Sequence, residues 1–352
     1  MLYSRHDLPF YGRTAWKFTS KERKHEPQLR QHRFAASCAT SRHALHPNSA
    51  FKYRPTSAFN HMPQGEPMHA FNLPTSQDIA FYKEQGYWLS PQIFSAEELK
   101  EFREHHRKVV AGEYETQRPP LSRDPQPGDI SRLVQVNNAY WTDATIARLV
   151  LDARIGQIAA RLAGVKGIRL WHDQLLYKPP QSGVAGNIGW HQDQGYWQCL
   201  DSNAAITAWV ALEDVDEENG CMEFVPGSHK WGLLGEDHFY QQDIEAQIKR
   251  IEEKTGHTFR TMPAVLRAGC VSFHHNLTIH GSRANLSTRP RISIAIHLIP
   301  DGARYRAGTS SEDHSSNTLR QPRPGDFYAG PYFPVLYREG EPSANVWATV
   351  EA

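Results

Sequence analysis

Cysteine is scarce in this chain, four in 352 residues (Cys38, Cys199, Cys221, Cys270). No two stand at the short spacing of a metal knuckle or a redox pair. That scarcity excludes a disulfide framework and predicts free, buried thiols of a reducing compartment. An excess of charge is lacking too, since 39 Lys and Arg face 38 Asp and Glu, for a formal net charge of +1. No global field then draws nucleic acid or an anionic membrane surface. No apolar run approaches the roughly 20 residues that cross a bilayer. The C-terminal Ala348-Thr349-Val350-Glu351-Ala352 is not a Ser-Lys-Leu type address. The chain is long enough to bury one large core, and the expectation is a cytoplasmic protein with a small-molecule partner. No oligomeric state follows from the sequence.

The first sixty residues are different in kind, with eleven Lys and Arg against three acids and no sustained hydrophobic period. Three readings stay open: a disordered basic tail, an organelle-targeting presequence, and a start placed too early, with Met62 or Met68 just ahead of the folded part. The extension is assigned to residues 1–68 and the folded domain to 72–340.

From there the chain reads as helices followed by strands. Thr75-Ser76-Gln77-Asp78 and Ser95-Ala96-Glu97-Glu98 carry the polar pattern that opens a helix. The first helix stops at Gly86, and the second repeats Leu99, Phe102, His106 and Val109 at helical spacing. Asp143 is expected to cap a third, carrying Ile146, Leu149, Val150, Ile155, Ile158 and Leu162 as far as Gly164. Pro119 to Gly128 marks a loop. Beyond Gly167 come short β-rich runs at 168–177, 204–212, 221–225, 270–274 and 291–299. Asn219-Gly220 between two of them is a hairpin signal. Many short strands with regular turns imply a barrel or sandwich, supported by a helical layer. An amphipathic helix is expected within 241–260, as either a lid over a site or a surface helix.

Chemistry concentrates in Gly189-Trp190-His191-Gln192-Asp193, with His280-Gly281-Ser282 downstream and Arg291 eleven residues after that His. Two imidazoles and one carboxylate are the ligand set of a non-heme Fe(II) site with open positions. On an extended strand, residues i and i+2 point the same way, so His191 and Asp193 can share one ion. His229, His274, His275 and His297 compete with His280 for the third place. Trp171, Tyr196, Trp197 and Trp231 flank these blocks and suggest an aromatic-lined cavity.

Several ordered blocks resemble the phytanoyl-CoA dioxygenase family of 2-oxoglutarate-dependent oxygenases. They are Asp173-Gln174-Leu175-Leu176-Tyr177-Lys178-Pro179-Pro180, Trp190-His191-Gln192-Asp193, Thr207-Ala208-Trp209, Glu218-Asn219-Gly220, Pro226-Gly227-Ser228-His229, His280-Gly281-Ser282, Asn285 and Pro290-Arg291. The resemblance implies a mainly β fold with flanking helices and a double-stranded β-helix (jelly-roll, cupin-like) core. It implies His191, Asp193 and His280 as ligands of Fe(II), with 2-oxoglutarate chelating the metal and Arg291 holding its distal carboxylate. Ser282, Trp209, Gln174 and Lys178 become co-substrate contacts, with Gln135 and Asn137 weaker candidates. Arg283 and Arg289 are the alternatives to Arg291, which the strand Ile292-Ser293-Ile294 places best. The turn at 226–229 is expected to shape the barrel and Asn285 to fix the loop after His280. O2 is then the oxidant, succinate and CO2 are released, and ascorbate supports activity. The implied outcome is hydroxylation of an unactivated C–H bond, alongside desaturation, cyclisation or epimerisation by the same chemistry. Asp193 argues against a halogenase, whose ligand set lacks the carboxylate, and the intact ligand set argues against a non-catalytic binding barrel.

Overall fold

The structure is a computed structural model, described here for residues 72–235, 243–318 and 320–341. The basic extension and Cys38 lie outside these residues. In chain order the elements are α1 (Ser76–Gln85), β1 (Tyr87–Leu89), α2 (Ala96–Ala111), β2 (Ser122–Asp124), β3 (Val134–Asn137), α3 (Ala144–Val150), α4 (Ala153–Ala163), β4 (Gly167–Lys178), β5 (Ile188–His191) and α5 (Asp193–Tyr196). They continue as β6 (Ile206–Ala211), β7 (Met222–Phe224), α6 (Ile244–Thr255), β8 (Met262–Pro263), β9 (Val271–His275), β10 (His280–Ser282), β11 (Arg291–Pro300), α7 (Ser315–Thr318) and β12 (Val335–Arg338).

Two antiparallel sheets face each other as a jelly-roll. The larger runs β1-β9-β6-β11-β4-β3-β2 with β12 also paired to β4; the smaller runs β5-β10-β7-β8. The alternation of β11 shows why the layers form. Its Ile292, Ile294, Ile296 and Leu298 pack outward with Phe102, Val109, Ile146, Leu149 and Ile155 of the helical layer. Each such side chain contributes roughly 1.5–3 kcal/mol by leaving water. The intervening Arg291, Ser293, Ala295 and His297 take the opposite face of the strand, and Arg291, Ala295 and His297 line a cavity between the sheets.

The helix starts follow their local chemistry. Thr75 with Asp78, and Ser95 with Glu98, form reciprocal capping boxes, and Gly86 ends α1 in the left-handed conformation. The third expected helix is in fact two. Asp143 caps α3, but the helix stops at Leu151, and Asp152 accepts from Arg154 N to start α4. A second capping carboxylate inside one apolar pattern is the local cause of the break.

The expected hairpin at Asn219-Gly220 does not form, since β6 and β7 belong to different sheets. Asn219 instead closes a polar loop, accepting from Asp216 N, donating N–H to Asp216 Oδ1, and donating from its amide to the Asp214 carbonyl. That loop carries the chain from one sheet to the other. The expected loop at 119–128 includes the short β2. Helix α6 lies against β5, where Gln247 accepts from Trp190 N at 2.8 Å and donates to Trp190 O at 2.5 Å. It occupies the open edge of a strand as a neighbouring strand would, and among the described residues none from α6 lines the cavity. Edge cover replaces the lid reading. Cys199, Cys221 and Cys270 are free and buried, and no helix among the described residues is long and apolar enough to cross a membrane.

His106 joins α2 to the large sheet by donating Nε2–H to the Leu176 carbonyl at 3.1 Å, while its buried Nδ1 has no partner. Burial lowers its pKa to about 4, against about 6.5 in an unfolded chain. As pH falls through 6.5 the unfolded chain takes up this proton first, so stability drops until about pH 4, by about 3 kcal/mol for this group. Urea unfolding of His106→Gln at descending pH is expected to show a shallower loss than the parent, by about one proton. Equal slopes would remove His106 from the acid response.

Candidate active site

The strand ends of the small sheet bring the ligand candidates together. His191 closes β5 and His280 opens β10, and the two are register partners. Gly281 permits that approach, because a Cβ there would sit 2.8 Å from the Ile188 carbonyl. Asp193 is not on the strand as expected: Gln192 is still extended, and Asp193 is the first residue of α5. The carboxylate nevertheless reaches the two rings. Asp193 Oδ1 lies 3.8 Å from His191 Nε2 and 3.7 Å from His280 Nε2, and the ring centroids are 4.2 Å apart.

Backbone contacts set which nitrogen faces inward. His191 Nδ1–H donates to the Gly189 carbonyl at 2.8 Å, and His280 Nδ1–H to the Thr278 carbonyl at 2.9 Å. Both Nε2 atoms then present lone pairs toward Asp193. Burial, followed by mutual repulsion, lowers the pKa of His191 to about 3; burial and His274 lower that of His280 to about 4. Burial would raise Asp193, but the surrounding imidazoles outweigh it and hold the carboxyl well below its ordinary range. Two neutral imidazoles and an ionised carboxylate thus converge at distances too long for hydrogen bonds. Such an electron-rich cluster fits a divalent cation. A second group, His105, Glu115 and Asp143, is also close enough to hold an ion. Its Asp143, however, already caps α3 and bonds His105 at 2.7 Å.

A polar row on the large sheet supports the carboxylate. His274 on β9, Thr207 on β6, His297 on β11 and His172 on β4 are consecutive register partners. Thr207 Oγ1 donates to Asp193 Oδ2 at 2.6 Å, and His274 Nε2 is 3.3 Å from the same oxygen. The next row holds Trp209, Ala295 and Gln174.

Two basic side chains occupy the other end. Arg291 is 1% exposed and Lys178 is fully buried; they are register partners on β11 and β4. Arg291 donates to the Gly220 carbonyl, its Nε has no partner, and its guanidinium lies 5.3 Å from the Trp209 ring. Lys178 Nζ donates to Ser282 Oγ at 2.7 Å and to the Arg283 carbonyl at 2.6 Å. Among the described residues no carboxylate pairs with either. Burial lowers the Arg291 pKa to about 10, and burial with repulsion from Arg291 pushes Lys178 well below its usual range. Arg283 and Arg289, the alternatives to Arg291, are held in ion pairs with Glu223 and Glu245, and with Asp216.

The cavity brings together seven of the eight residues expected from sequence: His191, Asp193, His280, Arg291, Ser282, Trp209 and Gln174. Lys178 joins them through Ser282. Asn137 also lines the cavity, as do Tyr196 and Trp197. Trp171 instead stacks on Phe333 and His314, and Trp231 on His257. His275 accepts from Leu277 N at 3.1 Å within its own turn. Ser228 in the 226–229 turn accepts from Ile279 N at 2.8 Å, anchoring the residue before His280. Asn285 ties its loop together by donating to the Arg289 carbonyl and accepting from Ser287. Sequence reasoning missed Thr207, His172 and His314. Two-residue alternation back from Trp209 and Gln174 would have found the first two.

Gly220 links loop to site. With φ at +74°, a Cβ there would meet the Arg283 carbonyl at 2.5 Å and the Ala284 carbonyl at 2.8 Å. Gly220→Ala is expected to lose roughly 1–2 kcal/mol from backbone conformation alone. Because it moves the acceptor of Arg291, which the family resemblance makes the anchor of 2-oxoglutarate, it should raise KM for that co-substrate more than it lowers kcat. Steady-state kinetics with a parallel melting curve check both.

The model of the family described as phytanoyl-CoA dioxygenase (PhyH) matches residues 82–293. The chain belongs to the phytanoyl-CoA dioxygenase family. The peroxisomal phytanoyl-CoA dioxygenase of Bos taurus is 26% identical over 251 residues, 69% of this chain and 74% of that protein. A probable alpha-ketoglutarate-dependent hypophosphite dioxygenase of Stutzerimonas stutzeri is 28% identical over 219 residues, 59% of this chain and 72% of that protein. Among solved structures, the non-heme alpha ketoglutarate dependent carbocyclase SnoK from nogalamycin biosynthesis superposes with a TM-score of 0.60 at 28% identity, covering 76% of this chain and 99% of that one. The epimerase SnoN in complex with Fe3+, alpha ketoglutarate and nogalamycin RO gives 0.58 at 29% identity, covering 74% and 97%. This family member is an iron- and 2-oxoglutarate-dependent oxygenase.

Proposed function

We propose that this oxygenase hydroxylates an unactivated C–H bond of a small molecule, using His191, Asp193 and His280 to hold Fe(II) and Arg291 with Lys178 to receive 2-oxoglutarate. The observation that carries this reading is the buried Arg291 guanidinium, without a carboxylate partner among the described residues, in the same cavity as three converging ligand atoms and with the Lys178 amine behind Ser282. A buried charge without a counter-charge is costly, and a dicarboxylate co-substrate supplies the missing one. Fe(II), when bound, supplies the redox chemistry that couples O2 and 2-oxoglutarate to oxidation of the substrate, with succinate and CO2 as co-products.

The chain's own groups orient and shield that chemistry. Arg291 offers a planar fork to the distal carboxylate, Trp209 packs beneath the guanidinium, and Ser282 positions Lys178. Thr207 and His274 fix the rotation of the Asp193 carboxylate. Gln174 and Asn137 offer amides from the neighbouring strands. The free, buried thiols fit a reducing compartment such as the cytoplasm.

The test is aerobic incubation of the purified chain with Fe(II), ascorbate, 2-oxoglutarate and candidate substrates. The expected result is succinate in step with a product that carries one oxygen atom from isotopically labelled O2. Succinate accompanied by product without that label would overturn hydroxylation in favour of cyclisation, desaturation or epimerisation. Absence of O2-dependent succinate formation under every condition would overturn the ligand assignment.

A further inference from the structure

Beyond Asp193 the polar row continues, away from Arg291, into groups that neither the metal nor the co-substrate uses. His297 stands six residues along β11 from Arg291, roughly 20 Å of strand. It lines the cavity with His172, His314, Tyr196 and Trp197. The rings of His172 and His297 are 4.4 Å apart, those of His172 and His314 5.2 Å, and Trp197 meets His297 edge-on at 4.9 Å. His172 and His297 are 5% and 4% exposed, and the Nε2 of each is buried without a hydrogen-bond partner.

Donor and acceptor counting fixes two of these rings. Thr207 has one hydroxyl hydrogen and gives it to Asp193 Oδ2 at 2.6 Å, an oxygen that can only accept when ionised. Thr207 Oγ1 must therefore accept from His297 Nδ1, 2.9 Å away. His297 is then the Nδ1–H tautomer, with a lone pair on the unpartnered Nε2. His314 is the reverse, since its Nδ1 accepts from Ser316 N at 3.2 Å, which leaves the hydrogen on Nε2. The cavity lining thus offers an acceptor on His297 and a donor on His314, with the His172 ring close to both and Trp197 edge-on to His297.

We infer that this end of the cavity is a receptor for a substrate hydroxyl group, which donates to His297 Nε2 and accepts from His314 Nε2–H. A hydroxyl is the simple neutral group that does both at one atom. The substrate class is therefore an alcohol or phenol whose ring or chain lies against Trp197, rather than an ester, ether or hydrocarbon. The chain from substrate hydroxyl through His297 and Thr207 to Asp193 also ties substrate position to the orientation of the metal-binding carboxylate. This inference rests on the site reading above and extends it to the substrate.

The test needs no known substrate and no turnover. Full-length protein is labelled with nitrogen-15 histidine and studied metal-free and with Zn(II) and 2-oxoglutarate, Zn(II) being a diamagnetic stand-in for Fe(II). Long-range proton–nitrogen spectra report each tautomer, with His297 assigned through its contacts to Trp197 and Thr207. The expected result is Nδ1–H for His297 and Nε2–H for His314 in both samples. Phenol and anisole are then titrated as a matched pair differing in the O–H. Phenol is expected to shift the His297 Nε2 resonance and bind at least about tenfold more tightly than anisole, because a site built for a hydroxyl rejects the analogue lacking it. His297→Phe should erase that preference. An Nε2–H tautomer at His297, or equal binding of the two probes to the parent protein, overturns the inference. So does a preference that survives in a folded His297→Phe. Should Zn(II) fail to bind, the ligand assignment fails instead, and the tautomers in the metal-free protein still decide the hydroxyl receptor.

Discussion

Asp193→Asn is expected to abolish iron-dependent succinate formation, a drop of at least about a thousandfold, beyond the 10–100-fold typical of losing a group that merely supports a ligand. The change is nearly isosteric, and an Asn carbonyl still accepts from Thr207, so it removes charge rather than shape. In the metal-free protein the ionised Asp193 carboxylate faces both ring nitrogens and accepts from Thr207, and its lowered pKa means that the fold favours the charged form. Two melting experiments therefore separate a ligand from a structural group. In chelator, Asp193→Asn should melt somewhat lower than the parent protein, because it loses a charge the fold favours. With Fe(II) under anaerobic conditions the parent should gain stability by mass action, about 2.7 kcal/mol at a hundredfold excess over Kd, and the variant should gain almost none. Thr207→Val removes the hydroxyl that fixes the carboxylate and should weaken metal binding by roughly 10–100-fold. An Asp193→Asn enzyme that turns over at the parent rate would sink the ligand assignment.

The parts of this site that were legible in the sequence are those whose physics is local. Thr75 with Asp78, and Ser95 with Glu98, mark helix starts because their caps close within four residues. The inner and outer faces of β11 follow from the two-residue period that sets Arg291, Ser293, Ala295 and His297 against Ile292, Ile294, Ile296 and Leu298. What was illegible depends on partners far along the chain. Asn219-Gly220 has hairpin chemistry, yet its neighbours β6 and β7 prefer different sheets, and the turn serves instead to bring the Gly220 carbonyl to Arg291. The amphipathic pattern of α6 is the same whether it covers a cavity or a strand edge; only Gln247 meeting the Trp190 backbone separates the two. Thr207 looks like any strand threonine until the fold sets it between Asp193 and His297. The three arginines at 283, 289 and 291 have one chemistry, and they differ in whether the fold supplies an acid. Among the described residues it supplies one to Arg283 and Arg289 alone.

That difference sets the second large effect. Arg291→Leu is expected to raise KM for 2-oxoglutarate a hundredfold or more, about 3 kcal/mol, in the range for removing one partner of a buried charge pair. Arg291→Lys should recover only a small part, because an ammonium cannot offer two parallel donors to one carboxylate. Lys178 makes the sharper experiment, since its two roles predict opposite signs. Its charge is disfavoured in the free protein by burial and by Arg291, so Lys178→Met should raise the melting temperature without co-substrate. The same variant should bind 2-oxoglutarate roughly tenfold to a hundredfold more weakly, having lost a charge-assisted contact. The carboxylate also adds negative charge beside the amine, which favours its protonated form, so binding to the parent protein should take up protons. Calorimetry in buffers of different ionisation enthalpy reads that uptake directly, and Lys178→Met should remove it. If Lys178 were only a strut for Ser282 and the 283 carbonyl, the variant would lose stability, and proton uptake would be unchanged.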